Sequence, residues 1–206
     1  MSAALEPWDP LRPREVAELL HRSAAPWWIA GGYAIDAFLH EHERRPHDDV
    51  DVGLLAADQH EVRAALAGWE AWCADPPGTL RPWRHGETLV EPVHDVWLRP
   101  GPGEPWRLAF VLDTHDADTW VYRRDPRVRR PLHDLVWQED GVPYLVPEVQ
   151  LLFKSKTLRT KDEQDFEASL PALDDGQRDW LRAALELAHP GHPWLERLSG
   201  GVRLRR

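Results

Sequence analysis

One cysteine in 206 residues, Cys73, is too few for an internal disulfide or a cysteine-built zinc site, and points to a reducing compartment, the cytoplasm. Cys73 itself reads as a small, partly buried hydrophobe. No apolar run approaches the roughly 18 residues of a membrane-crossing helix, so no membrane partner is expected. The opening MSAALEPWDPLRPREV lacks a basic segment followed by an apolar one and does not read as a signal peptide. Positive charge is short as well: 25 Lys and Arg stand against 35 Asp and Glu, giving a net charge of -10 and a pI near 5.5. Nucleic acid held through its phosphates draws on clustered Lys and Arg, so this balance disfavours such a partner. An acidic surface suits a cationic small molecule better.

Tryptophan is abundant, with twelve residues, far above ordinary usage. An indole-rich core follows. Tyr33, Trp83, Trp97 and Trp120 are candidates for stacking on a base or substrate, with core packing as the competing reading of each. The length is enough for a main domain with a helical tail.

Pro13 followed by REVAELLHRSA predicts a helix with Val16, Leu19 and Leu20 on its apolar face, ended by Pro26. Trp27 to Ala30 reads as a buried strand that stops at Gly31-Gly32. Helical spacing resumes from Tyr33 to His40, and HEHERRPH reads as a charged loop. Val50 to Leu55 is a second strand, and Asp58 caps a helix predicted from Gln59 to Cys73. From residue 75 to 107 prolines and glycines punctuate alternating residues, predicting antiparallel strands around Leu89, Val96-Trp97 and Trp106 to Leu112. GPGEP at 101–105 reads as a hairpin turn, and Thr119 to Arg123 as a further strand. After Pro147 the periodicity turns helical at Val149, Leu152 and Phe153, and a second helix spans Asp174 to Ala188. The expected boundary near residue 145 separates an α/β half, 1–145, from a helical C-terminal region, 146–206.

The chemistry concentrates in residues 31 to 51, GGYAIDAFLHEHERRPHDDVD. A strand ending in Gly-Gly and running straight into a helix exposes backbone N–H groups to phosphate oxygens. In an extended strand Asp49 and Asp51 project to one side, Val50 and Val52 to the other. Two carboxylates so placed can share a divalent metal, and magnesium asks for little more than oxygen ligands, phosphates and water. Each half alone also has an ordinary reading, as a tight turn and as solvated strand-end carboxylates.

The order of the pieces, GGYAID and then RRPHDDVDV, resembles the polymerase-β-type nucleotidyltransferase superfamily, and within it the small bacterial aminoglycoside and lincosamide nucleotidyltransferases. Their pattern is GG-aromatic-A-x-D, then R-x-H-x-D-[IV]-D. Gly31, Gly32, Tyr33, Ala34 and Asp36 fit the first element, and Arg45, His47, Asp49 and Asp51 the second. The resemblance covers roughly residues 13 to 125, and more loosely LLFKSKTLRTKDEQDF. It implies an α+β fold, a mixed sheet flanked by helices, with a catalytic core in 1–145. It further implies Asp49 and Asp51 as magnesium ligands, Gly31 and Gly32 on the triphosphate, and a third carboxylate from a neighbouring strand. Asp113 is the candidate for that third metal-binding and catalytic acid, because it shares strand parity with Ala109 and Val111, opposite Leu108, Phe110 and Leu112; Asp95 is the runner-up. Arg45 and His47 would touch phosphates or fix the loop carrying Asp49, Asp36 would orient that loop, and Lys154 would reach the triphosphate. Lys156 and Lys161 read as a solvated face.

The reaction so implied moves a nucleoside monophosphate, AMP from ATP or another NTP, to a hydroxyl of a small molecule such as an aminoglycoside-like antibiotic, with two Mg2+ ions. The third acid, close to the acceptor hydroxyl, would double as general base. Three alternatives stand beside it. The basic run YRRDPRVRR, 122–130, keeps open a toxin-type transferase acting on tRNA or protein, against its reading as strand-edge charges answering nearby acids. His94-Asp95 suggests a metal-dependent phosphohydrolase. The last is an inactive nucleotide-binding pseudotransferase.

Overall fold

Side chains alternate across a strand, and one long strand shows how the molecule is divided by that rule. In Leu108–Asp116 the residues Leu108, Phe110 and Leu112 are buried in a hydrophobic core, while Val111 and Asp113 face the other way. The computed structural model describes residues 7–41 and 43–199; expectations for 1–6, 42 and 200–206 lie outside the described residues. In chain order it contains α1 (Pro13–Leu20), β1 (Trp27–Ile29), α2 (Gly31–Phe38), β2 (Asp51–Leu55), α3 (Gln59–Ala64), β3 (Glu70–Ala74), β4 (Leu80–Pro82), β5 (Asp95–Arg99), β6 (Leu108–Asp116), β7 (Thr119–Val121), β8 (Arg129–Pro131), β9 (Val136–Glu139), β10 (Val142–Leu145), α4 (Pro147–Lys154), α5 (Thr160–Ser169), α6 (Asp175–Ala188) and α7 (Trp194–Ser199).

The strands make a mixed sheet in the order β4-β3-β5-β6-β2-β1-β10-β9, with β7 joining β6 to β8. β2 runs parallel to β6, and β5 antiparallel to it. In this register Asp51 lies opposite Ala109, Leu55 opposite Asp113, and Asp95 opposite Val111. Directly paired residues share a face, so Asp51, Asp95 and Asp113 all project to one side of the sheet.

The opposite side is closed by α1 and α3, through Val16, Leu20 and Val62, with Leu66 just after α3, in one core with Val52, Leu54, Val96, Leu98 and Phe110. A second core joins Trp28, Ile35, Leu55, Trp120 and Tyr122 to the C-terminal helices through Leu151, Leu152, Phe166, Leu181, Leu185 and Trp194. Phe166 and Trp194 stack there with ring centroids 4.1 Å apart. α4 follows β10 directly, and β10 is itself hydrogen-bonded in parallel to β1.

The helix predicted from Gln59 to Cys73 is less than half as long. α3 stops at Ala64, Gly68 takes a left-handed φ of 93°, and Glu70–Ala74 is a strand with alternate burial. Asp58 makes no side-chain cap. No strand forms around Leu89: its backbone is instead held by the Gln59 side chain, which accepts from its N–H at 2.7 Å and donates to its carbonyl at 3.1 Å. α2 starts at Gly31, two residues before the expected Tyr33. The β9–β10 hairpin was not anticipated, although its turn carries a recognisable Asp140-Gly141 pair, both at positive φ.

Candidate active site

On the acid face of the sheet lies a cavity of about 360 Å3, whose lining includes Gly31, Gly32, Asp49, Asp51, Asp95 and Asp113. Asp51 opens β2, and Asp49, two residues earlier, is exposed. Burial pushes the Asp51 carboxyl up to about 7, and the charges of Asp49 and Asp95 push in the same direction, partly offset by Lys154 and Lys161. Burial likewise raises Asp95 to about 6, where Arg123 acts against the shift and Asp49 with it. Among the described residues, the ion pairs around the cavity reach Asp36, Asp113, Asp162 and Asp165, and none reaches Asp49, Asp51 or Asp95.

Asp113, the expected third acid, does line the cavity, but its charge is answered locally. Arg123 Nη1 stands 3.5 Å from Asp113 Oδ1, and the carboxylate is 2% exposed. Burial raises it to about 6 against the pull of Arg123. It sits four residues along β6 from Ala109, the partner of Asp51. Beside Asp49, the acid whose charge bears on Asp51 is Asp95. No three His, Cys, Asp or Glu side chains among the described residues converge as a ready-made metal cluster. Unpaired carboxylates on one face nevertheless fit a magnesium ion, which keeps several waters and takes further ligands from phosphates.

Neither glycine of the turn has room for a side chain. At Gly31, where φ is +69°, a Cβ would lie 2.5 Å from Asp51 Oδ2; at Gly32 it would run into the His47 ring and lie 2.7 Å from Arg45 Nη2. Glycine therefore lets the start of α2 close on both the metal-facing strand and the loop before it. The Gly31 N–H is not available to a phosphate, because it donates to Gln150 Oε1 at 2.7 Å. The amides that follow in the first turn, from Gly32 onward, have no intrahelical acceptor and point the helix dipole at the cavity.

Residues 43–49 are tied down from two sides. His47 Nε2 lies 2.6 Å from Asp36 Oδ2, which also accepts the Arg44 N–H at 3.1 Å, and the His47 ring packs 4.0 Å from that of Tyr33. His47 and Asp36 are thus bonded to each other beneath the loop, and His47 also lines the cavity. From α5, the fully buried Asp165 pairs with Arg44, with Arg45 Nη2 at 3.2 Å and with Lys154 Nζ at 2.8 Å. Arg45 and Lys154 both line the cavity, as expected for a triphosphate, while Lys161 lines it too and comes within 3.8 Å of Asp48. Sequence reasoning missed Asp165, Gln150 and Arg123. The Asp162/Asp165 spacing of three on a helix was the available signal for the first.

The four aromatic candidates are absent from the cavity lining. Trp83, Trp120 and Tyr33 are buried in the cores, and Trp97 sits between Trp8 and Trp106 at centroid distances of 5.2 and 5.7 Å. Phe153 and Trp28 line it instead, with Arg123 4.9 Å above the Phe153 ring. Most of the basic run answers neighbours: Arg127 pairs with Asp125, Arg129 with Asp116 and Arg130 with the buried Glu148, at 2.6, 3.0 and 2.7 Å. His94 turns its Nδ1 to the Pro92 carbonyl at 2.7 Å, and burial followed by Arg123 lowers its pKa.

Residues 14–72 match the sequence model of the aminoglycoside-2''-adenylyltransferase family. No curated protein sequence matches the chain. Among solved structures it is similar to ANT(2'')-Ia in complex with adenylyl-2''-tobramycin, with a TM-score of 0.55 and 16% identity over 84% of this chain and 94% of that one. It is also similar to the solution structure of the antibiotic-resistance factor ANT(2'')-Ia, with a TM-score of 0.54 and 18% identity over 84% and 88%. In fold the chain is similar to ANT(2'')-Ia, and its segment carrying Gly31-Gly32 and Asp49-x-Asp51 matches the model of the aminoglycoside-2''-adenylyltransferase family.

Proposed function

We propose that the chain is a magnesium-dependent nucleotidyltransferase that moves AMP from ATP to a hydroxyl of an aminoglycoside-like amino sugar. The observation that carries this reading is that Asp49, Asp51 and Asp95 line one cavity, none of them in an ion pair among the described residues, beside a glycine turn and a wall bearing Arg45 and Lys154. Asp49 and Asp51 would hold magnesium, which when bound neutralises phosphate charge. Gly32 and the amides after it would receive phosphate oxygens, with Arg45 and Lys154 behind them. Asp95 takes the role expected of Asp113: above its pKa of about 6 it is ionised and accepts the acceptor hydroxyl's proton. The hydroxyl oxygen then bonds to the α-phosphorus, and the bond to the bridging oxygen breaks as pyrophosphate leaves. The Asp113–Arg123 pair beyond Asp95 shapes the far end of the cavity.

An amino-sugar acceptor suits the acidic balance of the chain, and the pairing of Arg127, Arg129 and Arg130 with acids weakens the case for tRNA. Incubation with α-labelled ATP, Mg2+ and tobramycin, in parallel with a tRNA pool and the protein alone, tests the reading. Label should appear on tobramycin, and Asp51→Asn should reduce transfer by at least about a hundredfold. Label on tRNA alone, or an Asp51→Asn variant as active as the parent, would refute it.

A further inference from the structure

One carboxylate outside the acid face gathers more positive charge than any other among the described residues. Asp165, on α5, is fully buried and contacts three cations from two distant segments: Arg44 and Arg45 of the loop before β2, and Lys154 at the end of α4. Burial alone would raise its pKa; Lys154 and the hydrogen bond from Arg45 outweigh that and hold it below the ordinary carboxylate range. One turn earlier the equally buried Asp162 receives Arg159 at 2.8 Å and stands 3.8 Å from Lys154. Two buried carboxylates thus face four cations, and the surplus positive charge lies on Lys154, Arg45 and Arg159, all in the cavity lining. Arg45 is also the side chain that crowds Gly32, so its guanidinium is set at the first turn of α2.

Resting on the nucleotide-transfer reading, we propose that Asp165 is a positioning residue that aims Arg45 and Lys154 at the triphosphate and couples the C-terminal helices to the loop carrying Asp49. A carboxylate that only neutralised a buried lysine would need one partner. This one, 120 residues from Arg45 in sequence, bridges the loop before β2 and the end of α4, and both deliver a cation to the same wall. Loss of its charge would leave the two segments joined by weaker contacts and let both cations drift from where the phosphates lie.

The test compares the parent chain with Asp165→Asn by calorimetry with Mg-ATP and with AMP, and by steady-state transfer to tobramycin. Asp165→Asn should weaken Mg-ATP at least tenfold and AMP no more than threefold, with the KM for tobramycin within twofold. Equal weakening of AMP and Mg-ATP would assign Asp165 to general stability and overturn the inference, as would unchanged or tighter Mg-ATP binding. If Asp165→Asn does not fold, Arg44→Gln decides, since Arg44 reaches Asp165 but is not in the cavity lining. It should weaken Mg-ATP threefold or more while sparing AMP, and an unchanged Mg-ATP affinity would overturn the inference. A parent chain that neither binds Mg-ATP nor transfers label would remove the nucleotide reading itself, and this inference with it.

Discussion

Asp51 is held where a carboxylate is least comfortable, and its discomfort sets a sign. Its folded-state pKa, about 7, lies far above that of an unfolded aspartate, so between roughly pH 4 and 7 the folded chain binds the proton the unfolded chain has lost. This group therefore favours the fold below pH 4 and progressively less as pH rises through 7. Asp51→Asn should be more stable than the parent at pH 8, by about 2–4 °C of melting temperature per kcal/mol of strain relieved, and the gap should narrow on acidification to pH 5. Mg2+ should close the same gap by stabilising the parent alone. Scanning calorimetry at both pH values checks this; a variant less stable at pH 8 would contradict it. At this scale the sequence was half informative. Asp49 and Asp51 were legible because their alternation with Val50 and Val52 is local. Strand parity within β6 singled out Asp113 and left Asp95 the runner-up; what it could not show is Arg123, which the turn into β7 brings back onto Asp113.

Among the elements, α2 is the one whose position decides most. Its first two residues are pressed against Asp51, His47 and Arg45, and Asp36 in its second turn bonds His47. Gly32→Ala should displace the His47 ring and with it the loop bearing Asp49, lowering transfer by at least about tenfold while circular dichroism stays that of the parent. Gly31→Ala adds left-handed strain of about 1 kcal/mol and a clash with Asp51, and should cost more. Unimpaired transfer by Gly32→Ala would show that the loop does not need this contact. The Gly-Gly turn was readable from sequence, since it interrupts an apolar strand and opens a helix. The length of α3 was not: Val62, Leu66 and Trp69 keep helical spacing into the segment where Ala71 and Cys73 alternate as a strand, and the positive φ at Gly68 marks the break between them. Gln150, which takes the Gly31 N–H from 119 residues away, left no local trace.

For the whole molecule, the helical region is an integral part of the fold and the site. Trp28, Ile35 and Leu55 share their core with Leu152, Phe166 and Leu181, and Asp165 and Gln150 reach back to the loop and the glycine turn. A fragment ending at residue 145 should expose that core and fail to give a cooperative melt, whereas the full chain should give one transition; a folded, Mg-ATP-binding fragment would argue for independence. The expected boundary followed the change in periodicity after Pro147, and periodicity carries no information about shared burial. The alternation along β2, β5 and β6 has one more consequence, in evolutionary terms. Along β5 and β6 the residues buried in the first core and the residues that line the cavity occupy opposite registers, so a lineage can vary the cavity on one register without eroding that core on the other. A single-residue insertion in β6 would exchange the two registers at once, sending Asp113 into the core and Leu112 into the cavity. Substitutions in these strands are open to drift, and odd-length insertions are closed to it.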